Sequence, residues 1–500
     1  MKKDLIINRY GYIVKKSYLT ENDIITVKKE LTVRPFKPGT FGKLRRDVGF
    51  PLYQENDELL CIPKYYGLDR IGEPEKNSLE TYAYSTFDMQ YLGKLRPRQE
   101  IIAANLMKGM EEKRGGLLVA ACGIGKTNLA IYIACQLKLK TLFIVHKNFL
   151  KRQATDRILG TTNQKEVGVI QGRKKIDVDH PFVIGMVQSL SSIDYDEDIF
   201  KDFGLIIIDE VHHMAARNFS KVYQKISGKY MLGISAEKSR TDNTFKVINW
   251  YMGPILHEEA QKPNDMVVVK KYFYRSSNDY RTNTVINRYT QEPDRSTMIT
   301  NLVHIRKRNF FIVKLVEKLF DDGKNILILS GRIKHVNLLY RYLNGIEDIK
   351  GNVGKYVGSM SEQELANSAT KQIIIGSYAM AQEGLDIEGL NVVIFSTPIS
   401  ETKQPIGRIL RKEFYETHPI VIDIIDANNP IYIKQSNKRT SYYQKQKYCI
   451  QSFKVSDYEK KDHSMFNDLD FIKESIEQPV KREIVEETKE PNGIEVVESE

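Results

Sequence analysis

Two parallel, doubly wound α/β sheets in tandem, preceded by a small β-rich or α+β domain, are what this 500-residue sequence predicts. Three observations carry that expectation. From about Leu95 short, wholly apolar runs alternate with amphipathic stretches, as strands buried on both faces do when helices separate them. The alternation comes in two series, with breakers Gly253, Pro254, Pro263 and Asn264 between them. The length suits roughly three domains, and 41% hydrophobic with 28% charged residues is an ordinary globular composition.

The elements follow in order. Residues 1–92 hold short β-type runs, Asp23 to Val27, Glu58 to Pro63 and the Tyr65-Tyr66 pair, broken by Pro35, Pro38, Gly39 and Pro51. With the basic Lys28, Lys29, Lys43, Arg45 and Arg46, and lying before the motifs that carry chemistry, they are expected to form an accessory domain that engages nucleic acid and can be removed without loss of ATP binding. The first α/β module, 93–258, carries the strand runs LLVAA, TLFIVH, FVIGMVQ, LIIIDE and MLGIS. The second, 259–470, begins with MVVVKKYFY, continues with a helix from Arg306 to Leu319, and adds NILILSG, QIIIGSY, NVVIFST and IVIDIID. Residues 471–500 hold nine Glu against four Lys or Arg and read as an acidic, disordered tail.

Charge and cysteine usage narrow the function classes. Lys and Arg number 75 against 64 Asp and Glu, a formal +11, and because the tail is acidic the excess lies on the folded part. Such a surplus suits a protein that sits on phosphate backbones. Cys61, Cys122, Cys135 and Cys449 lie far apart with no C-x-x-C pair, which argues against a disulfide framework and a zinc site. Neither a signal-peptide core nor a run of about 18 apolar residues occurs, so a reducing, cytoplasmic location without secretion or membrane partner is expected. Trp250 and the N-terminal tyrosines are expected in the core rather than against bases.

Three motifs carry chemistry. Ala120 to Thr127, AACGIGKT, stands between an apolar strand and a helix. Gly123 and Gly125 there let backbone N–H groups, with those of Cys122 and Ile124, turn toward phosphates; Lys126 would reach the β and γ phosphates and Thr127 would hold Mg²⁺. Ala120 replaces the first glycine of the strict pattern. The strand Leu205 to Ile208 ends in Asp209-Glu210, where one carboxylate can hold Mg²⁺ and the other polarise a water. His212 is placed to bridge that site to the next motif, and His213 to pack. In QPIGRILR, Arg408 and Arg411 are three apart, on one face if helical, and could stabilise charge on a γ-phosphoryl group. Together these describe an ATP site completed by two modules.

In this order the motifs resemble those of superfamily 2 helicases with a DEVH box, over roughly residues 93 to 430. LRPRQ at 95–99 resembles the adenine-reading motif, AACGIGKT motif I, IVHKNFLKRQ motif Ia, GMVQSL motif Ic and IIIDEVHH motif II. LGISAEKSRTD resembles motif III, ILSGRIKHV motif IV, GSYAMAQEGLDIEGLN motif V and QPIGRILR motif VI. FKVINWYMGPIL and VIDIIDANNPIYIKQSNKRTSYYQ look most like the poxvirus-type transcript-release DNA helicases and their relatives in large DNA viruses and phages, akin to the XPB and UvsW types.

The resemblance implies two tandem RecA-like domains and an ATP-driven DNA helicase or translocase, typically 3′ to 5′, serving viral transcription, recombination or replication. It implies adenine contact by Gln99, nucleotide contacts by Gly384 and Asp386, and catalysis by Gln404 together with Arg408 and Arg411. Phosphate or sugar contacts would fall to Lys147, Gln188, Arg332 and Ser377, and coupling of hydrolysis to movement to His212, Ser235 and Ala236. Glu237 and Lys238 depart from the usual end of motif III. The implied partners are single-stranded, duplex or forked DNA and transcription or replication proteins, in the host cytosol, a viral factory or the virion. An RNA helicase of the same superfamily, a nuclease-coupled motor and a non-catalytic scaffold retaining the fold are the alternatives. The absence of an appended nuclease-like segment and the intact Lys126, Asp209, Glu210, Arg408 and Arg411 weigh against the last two.

Overall fold

A computed structural model of the chain describes residues 5–34, 49–121, 123–236, 244–259, 266–276, 279–383, 387, 389–410, 418–456 and 479–482. The chain forms two compact units, Met1–Gln261 and Lys262–Glu500. Among the described residues, no helix is long and apolar enough to cross a membrane.

In the first unit eight strands run in the order Lys175–Asp177, Gly168–Gln171, Phe182–Met186, Thr141–Val145, Leu205–Asp209, Tyr230–Ser235, Gly115–Ala120, Ile255–Glu259. All pairs are parallel except the first, which is an antiparallel hairpin. Period-two geometry sends alternate side chains of each run to opposite faces. Leu118, Ala120, Phe143, Val145, Leu205 and Ile207 join a core beneath the helices Pro97–Lys113, Lys126–Leu137 and Asn148–Thr161. Leu117, Val119, Leu142, Ile144, Ile206 and Ile208 face the other way.

That second face is covered by the helices Val187–Ser192 and Phe245–Met252 and the turn Val211–Ala215, and the N-terminal residues pack against the outside of Phe245–Met252. They form a five-stranded sheet in the order Gln54–Glu55, Leu59–Ile62, Gly11–Lys15, Ile6–Asn8, Lys76–Asn77. Its Ile7, Tyr12, Val14 and Leu60 belong to the same continuous core as Ile206 and Met231, with the helix Phe245–Met252 between. The Tyr251 hydroxyl donates to the Leu52 carbonyl at 2.8 Å, the Tyr65 hydroxyl to that of Lys113 at 3.0 Å, and Tyr66 meets Trp250 edge to face. Residues 5–92 thus have their own sheet without a core of their own. Asp23 to Val27, expected as β, lies in the helix Glu21–Glu30, because Thr20 and Asp23 close a capping box that starts a helix. Tyr65-Tyr66 likewise falls in the helix Lys64–Arg70.

The second unit has a sheet ordered Val353–Tyr356, Ile373–Ser377, Ile326–Ser330, Val392–Phe395, Ile420–Asp426, Val268–Arg275, Cys449–Ser456, Pro479–Arg482, parallel but for the last pair. Pro479–Arg482 therefore adds an edge strand inside the stretch expected to be a solvated tail; the remainder of 471–500 lies outside the described residues. Two buried ion pairs clamp its centre. Arg308 donates to both oxygens of Asp426, at 2.6 and 2.9 Å, and Arg439 to both of Asp423, at 3.0 and 2.8 Å. Removing one partner of such a pair costs about 3–5 kcal/mol, because a buried charge is left uncompensated.

Candidate active site

The phosphate-binding loop is built from the end of the Gly115–Ala120 strand and the start of the Lys126–Leu137 helix. Gly123 and Gly125 take φ of +88° and +86°, a conformation that L side chains rarely adopt. The loop rests on Gln99: its Nε2 donates to the Ile124 carbonyl at 2.8 Å, while its Oε1 accepts from the Arg96 N–H at 2.8 Å and closes the start of Pro97–Lys113. A Cβ on Gly125 would stand 2.4 Å from Gln99 Nε2. Lys126 Nζ donates to the Ala120 carbonyl at 3.0 Å, which holds the ammonium along the loop.

Asp209 ends the Leu205–Asp209 strand, and Glu210 follows in the left-handed region at φ +47°. Tyr230–Ser235 separates that strand from Gly115–Ala120, so loop and carboxylates stand at the same, C-terminal, edge of one parallel sheet. Asp209 Oδ1 accepts from the Glu210 N–H at 2.9 Å. Burial and the charge of Glu210 push the Asp209 carboxyl up, to about 7. Burial also acts upward on Glu210, but the adjacent His212 and the Lys126 charge outweigh it and hold this carboxyl down. Glu210 Oε2 is buried and accepts no hydrogen bond, with His212 Nδ1 3.3 Å away. Crowded, poorly solvated carboxylate oxygen is hard-oxygen chemistry, and with the Thr127 hydroxyl at the start of a helix on the same sheet edge it fits Mg²⁺.

His212 Nδ1 also lies 3.1 Å from Ser235 Oγ, so motif II and motif III meet at the expected coupling residues; Ala236 is buried next to them. His213 packs between His212 and His146, at centroid distances of 4.1 and 4.3 Å. The Gln188 amide donates to the His146 carbonyl at 2.6 Å, bringing it beside half-buried Lys147. Sequence reasoning missed His146, although it ends the apolar run TLFIV. It also missed Glu259, which receives Arg98 and His257 and whose carbonyl accepts from the Ala121 N–H at 3.3 Å. Only an edge strand folding back beside the loop places it there, and no motif announces that strand.

In the second unit Ser377 ends the Ile373–Ser377 strand, its hydroxyl accepting from the Met380 N–H at 3.4 Å. The helix Lys403–Gly407 contains Gln404 and stops before Arg408, whose Nε donates to the Ala381 carbonyl at 2.7 Å. Arg408 caps that helix with right-handed helical φ and ψ; Arg411, with Cys122, Gly384 and Asp386, lies outside the described residues. Arg332, expected to touch phosphate, is half-buried, and neighbouring protein oxygens hold its guanidinium. It donates to Ser296 O and Oγ at 2.6 and 2.8 Å, to Thr300 Oγ1 at 3.0 Å and to Gly331 O at 2.8 Å.

Comparison with known proteins agrees with this architecture. Residues 92–240 match the family described as Type III restriction enzyme, res subunit. Over 469 residues the chain is 57% identical to a protein of Acanthamoeba polyphaga mimivirus, provisionally named an ATP-dependent RNA helicase, with 93% of this chain and 90% of that one covered. An African swine fever virus protein with the same kind of provisional name is 25% identical over 358 residues, covering 67% and 68% of the two chains. Among solved structures, a DNA-bound, ATP-dependent Type ISP restriction-modification enzyme aligns with 76% of this chain and 33% of its own, at TM-score 0.50 and 14% identity. The class is thus a tandem RecA-like α/β fold. The chain belongs to the superfamily 2 helicases of large DNA viruses, a family of ATP-dependent enzymes that act on nucleic acid.

Proposed function

We propose that this chain is an ATP-hydrolysing motor that moves 3′ to 5′ along DNA in viral transcription, recombination or replication, in the host cytosol, a viral factory or the virion. The observation that carries the reading is the phosphate loop on Gln99 and the Asp209-Glu210 pair at one edge of one parallel sheet, where such folds bind ligands. Backbone N–H groups of 122–125 and the Lys126 ammonium bind the ATP phosphates. Thr127 and Asp209 hold Mg²⁺, which when bound neutralises charge gathering on the transferred phosphoryl group. Glu210 orients the attacking water and receives its proton. Gln404, Arg408 and Arg411 support the γ-phosphoryl group, and Gly384 and Asp386 the nucleotide. His212, Ser235 and Ala236 pass the change in nucleotide state to Lys147, Gln188 and Ser377, which contact sugar or phosphate without reading sequence.

The DNA assignment rests on the resemblance of 245–256 and 421–444 to transcript-release DNA helicases. An RNA substrate is the second reading, favoured by the names its viral relatives carry. ATPase rates measured with single-stranded, duplex and forked DNA and with RNA, followed by unwinding of 3′- and 5′-tailed duplexes, separate the two. Stimulation by DNA and displacement only from 3′-tailed duplexes is the expected result. Stronger stimulation by RNA would move the substrate assignment, and 5′-tailed activity would reverse the polarity.

A further inference from the structure

Between the Val268–Arg275 strand and the Arg295–Leu302 helix the chain makes a small hairpin. Asp294 N donates to Val285 O at 2.8 Å and Asn287 N to Glu292 O at 2.9 Å, flanking an antiparallel bridge between Ile286 and Pro293. Its tip is Arg288 to Gln291, shaped by the Asn287 side chain, which accepts from the N–H groups of Tyr289 and Thr290 at 2.9 and 3.1 Å.

This hairpin is firmly braced. Val285 packs on the cluster of Met298, Leu302, Ile305 and Tyr432. The Asn429 amide donates to Thr282 O at 2.9 Å, and Arg281 Nη1 to His304 O at 2.6 Å. Asp294 caps the following helix through the Thr297 N–H at 3.0 Å, and Arg332 of motif IV grips that helix at Ser296 and Thr300.

At the tip of this braced element Tyr289 is 93% exposed, the highest value for any large hydrophobic side chain among the described residues; Tyr280 at its base is 75% exposed. Ile286 of the same hairpin is 48% exposed. Around them stand exposed Arg288, Arg295, Asn283, Thr284, Thr290 and Glu292. Asp279 is paired with Arg281, and Asp294 is hydrogen-bonded to Thr297. Exposed aromatic rings set among arginines and neutral polar groups, with Glu292 the exposed carboxylate of the hairpin, match the chemistry of an unpaired strand, whose bases stack and whose phosphates attract guanidinium.

We propose that the 279–294 hairpin is a base-stacking contact for single-stranded nucleic acid, with Tyr289 the ring that receives a base. This deepens the motor reading and rests on it. The test uses the full chain and labelled single-stranded DNA and RNA, the two sources of the same base-and-phosphate chemistry. Tyr289→Ala should weaken binding to the preferred strand about 5- to 150-fold, the effect of losing one stacked base. Basal ATPase should stay unchanged, and Tyr289→Phe should bind as the parent does. On an abasic strand of equal length, parent and Tyr289→Ala should bind alike. Equal binding of parent and Tyr289→Ala to both normal strands would overturn the proposal and assign the tip to a protein contact. Loss in Tyr289→Phe, or an undiminished loss on the abasic strand, would overturn it as well. A parent chain whose ATPase no strand stimulates would instead defeat the motor reading itself.

Discussion

Lys126 and Glu210 stand a few residues beyond the ends of two strands of one sheet, but they serve different parts of hydrolysis. Lys126→Ala removes charge from the phosphates, so turnover should fall by about 10²- to 10³-fold or more together with nucleotide affinity. Glu210→Gln removes the group that orients water, and a labelled ATP analogue should still bind while turnover falls by about 10²- to 10⁴-fold. Near-parental ATPase in Glu210→Gln would show the water-activating group to lie elsewhere. Gly125→Ala combines a left-handed backbone with a Cβ 2.4 Å from Gln99 Nε2, and ATP affinity should drop by about tenfold or more; an unchanged dissociation constant would contradict the bracing role given to Gln99. These residues were legible in the sequence because phosphate chemistry fixes both residue type and spacing within one strand, loop and helix. Glu259 and His146 were not legible, since their places depend on which strands become neighbours.

Elements buried on both faces announce themselves, as LIIID and NILILS do, by leaving no polar position. Edge strands such as Lys175–Asp177 and Val353–Tyr356 carry lysines and tyrosine on an open side and escape that pattern. Arg332 shows the same limit at a motif: its place after a strand was readable, but not that Ser296 and Thr300 would claim its guanidinium. The contrast can be measured. A phosphate-contacting arginine contributes about one unit to the slope of log affinity against log salt. Arg332→Ala should leave that slope unchanged while the 279–302 segment becomes more sensitive to protease; a slope smaller by one would restore the phosphate role. His335 gives the second unit an acid dependence. Its Nδ1 lies 3.0 Å from Ser330 Oγ and its Nε2 3.0 Å from Asn309 Oδ1, and burial, with Arg308 adding to it, pulls the imidazole down to about 3. A histidine held neutral on folding leaves stability intact above the unfolded value near 6.5 and erodes it as pH falls from there toward 3. About 2 kcal/mol should be lost by pH 5. In His335→Gln the difference in unfolding free energy between pH 7 and pH 5 should shrink by that amount, and an unaltered difference would place the acid-sensitive group elsewhere.

At the scale of the molecule, the N-terminal region changes meaning once its packing is seen. Its composition suggested a detachable module, because its β runs and basic residues precede every helicase motif. Local sequence says where strands begin, yet it does not say which core they will join. Here Ile7, Val14, Leu31 and Leu60 belong to one core with Leu117, Ile144, Ile206 and Ile208, joined through the helix Phe245–Met252 that follows motif III, where Tyr66 meets Trp250. Deleting residues 1–92 would bare the outer side of that helix, and a fully buried leucine, valine or isoleucine is worth about 1.5–3 kcal/mol each when returned to water. The loss from several such residues is of the same size as the roughly 5–15 kcal/mol by which a domain is ordinarily stable. The truncated chain should therefore aggregate or bind a hydrophobic dye, without cooperative unfolding and without ATP binding. A milder change asks the same question in a chain that still folds: Tyr66→Ala removes the Trp250 contact and the 2.7 Å bond to Glu30, and should lower the melting temperature of the ATP-binding unit itself, read as the transition that nucleotide shifts upward. If Tyr66→Ala altered only a separate transition insensitive to ATP, the N-terminal sheet would be folding on its own and the shared core would not be the source of its stability.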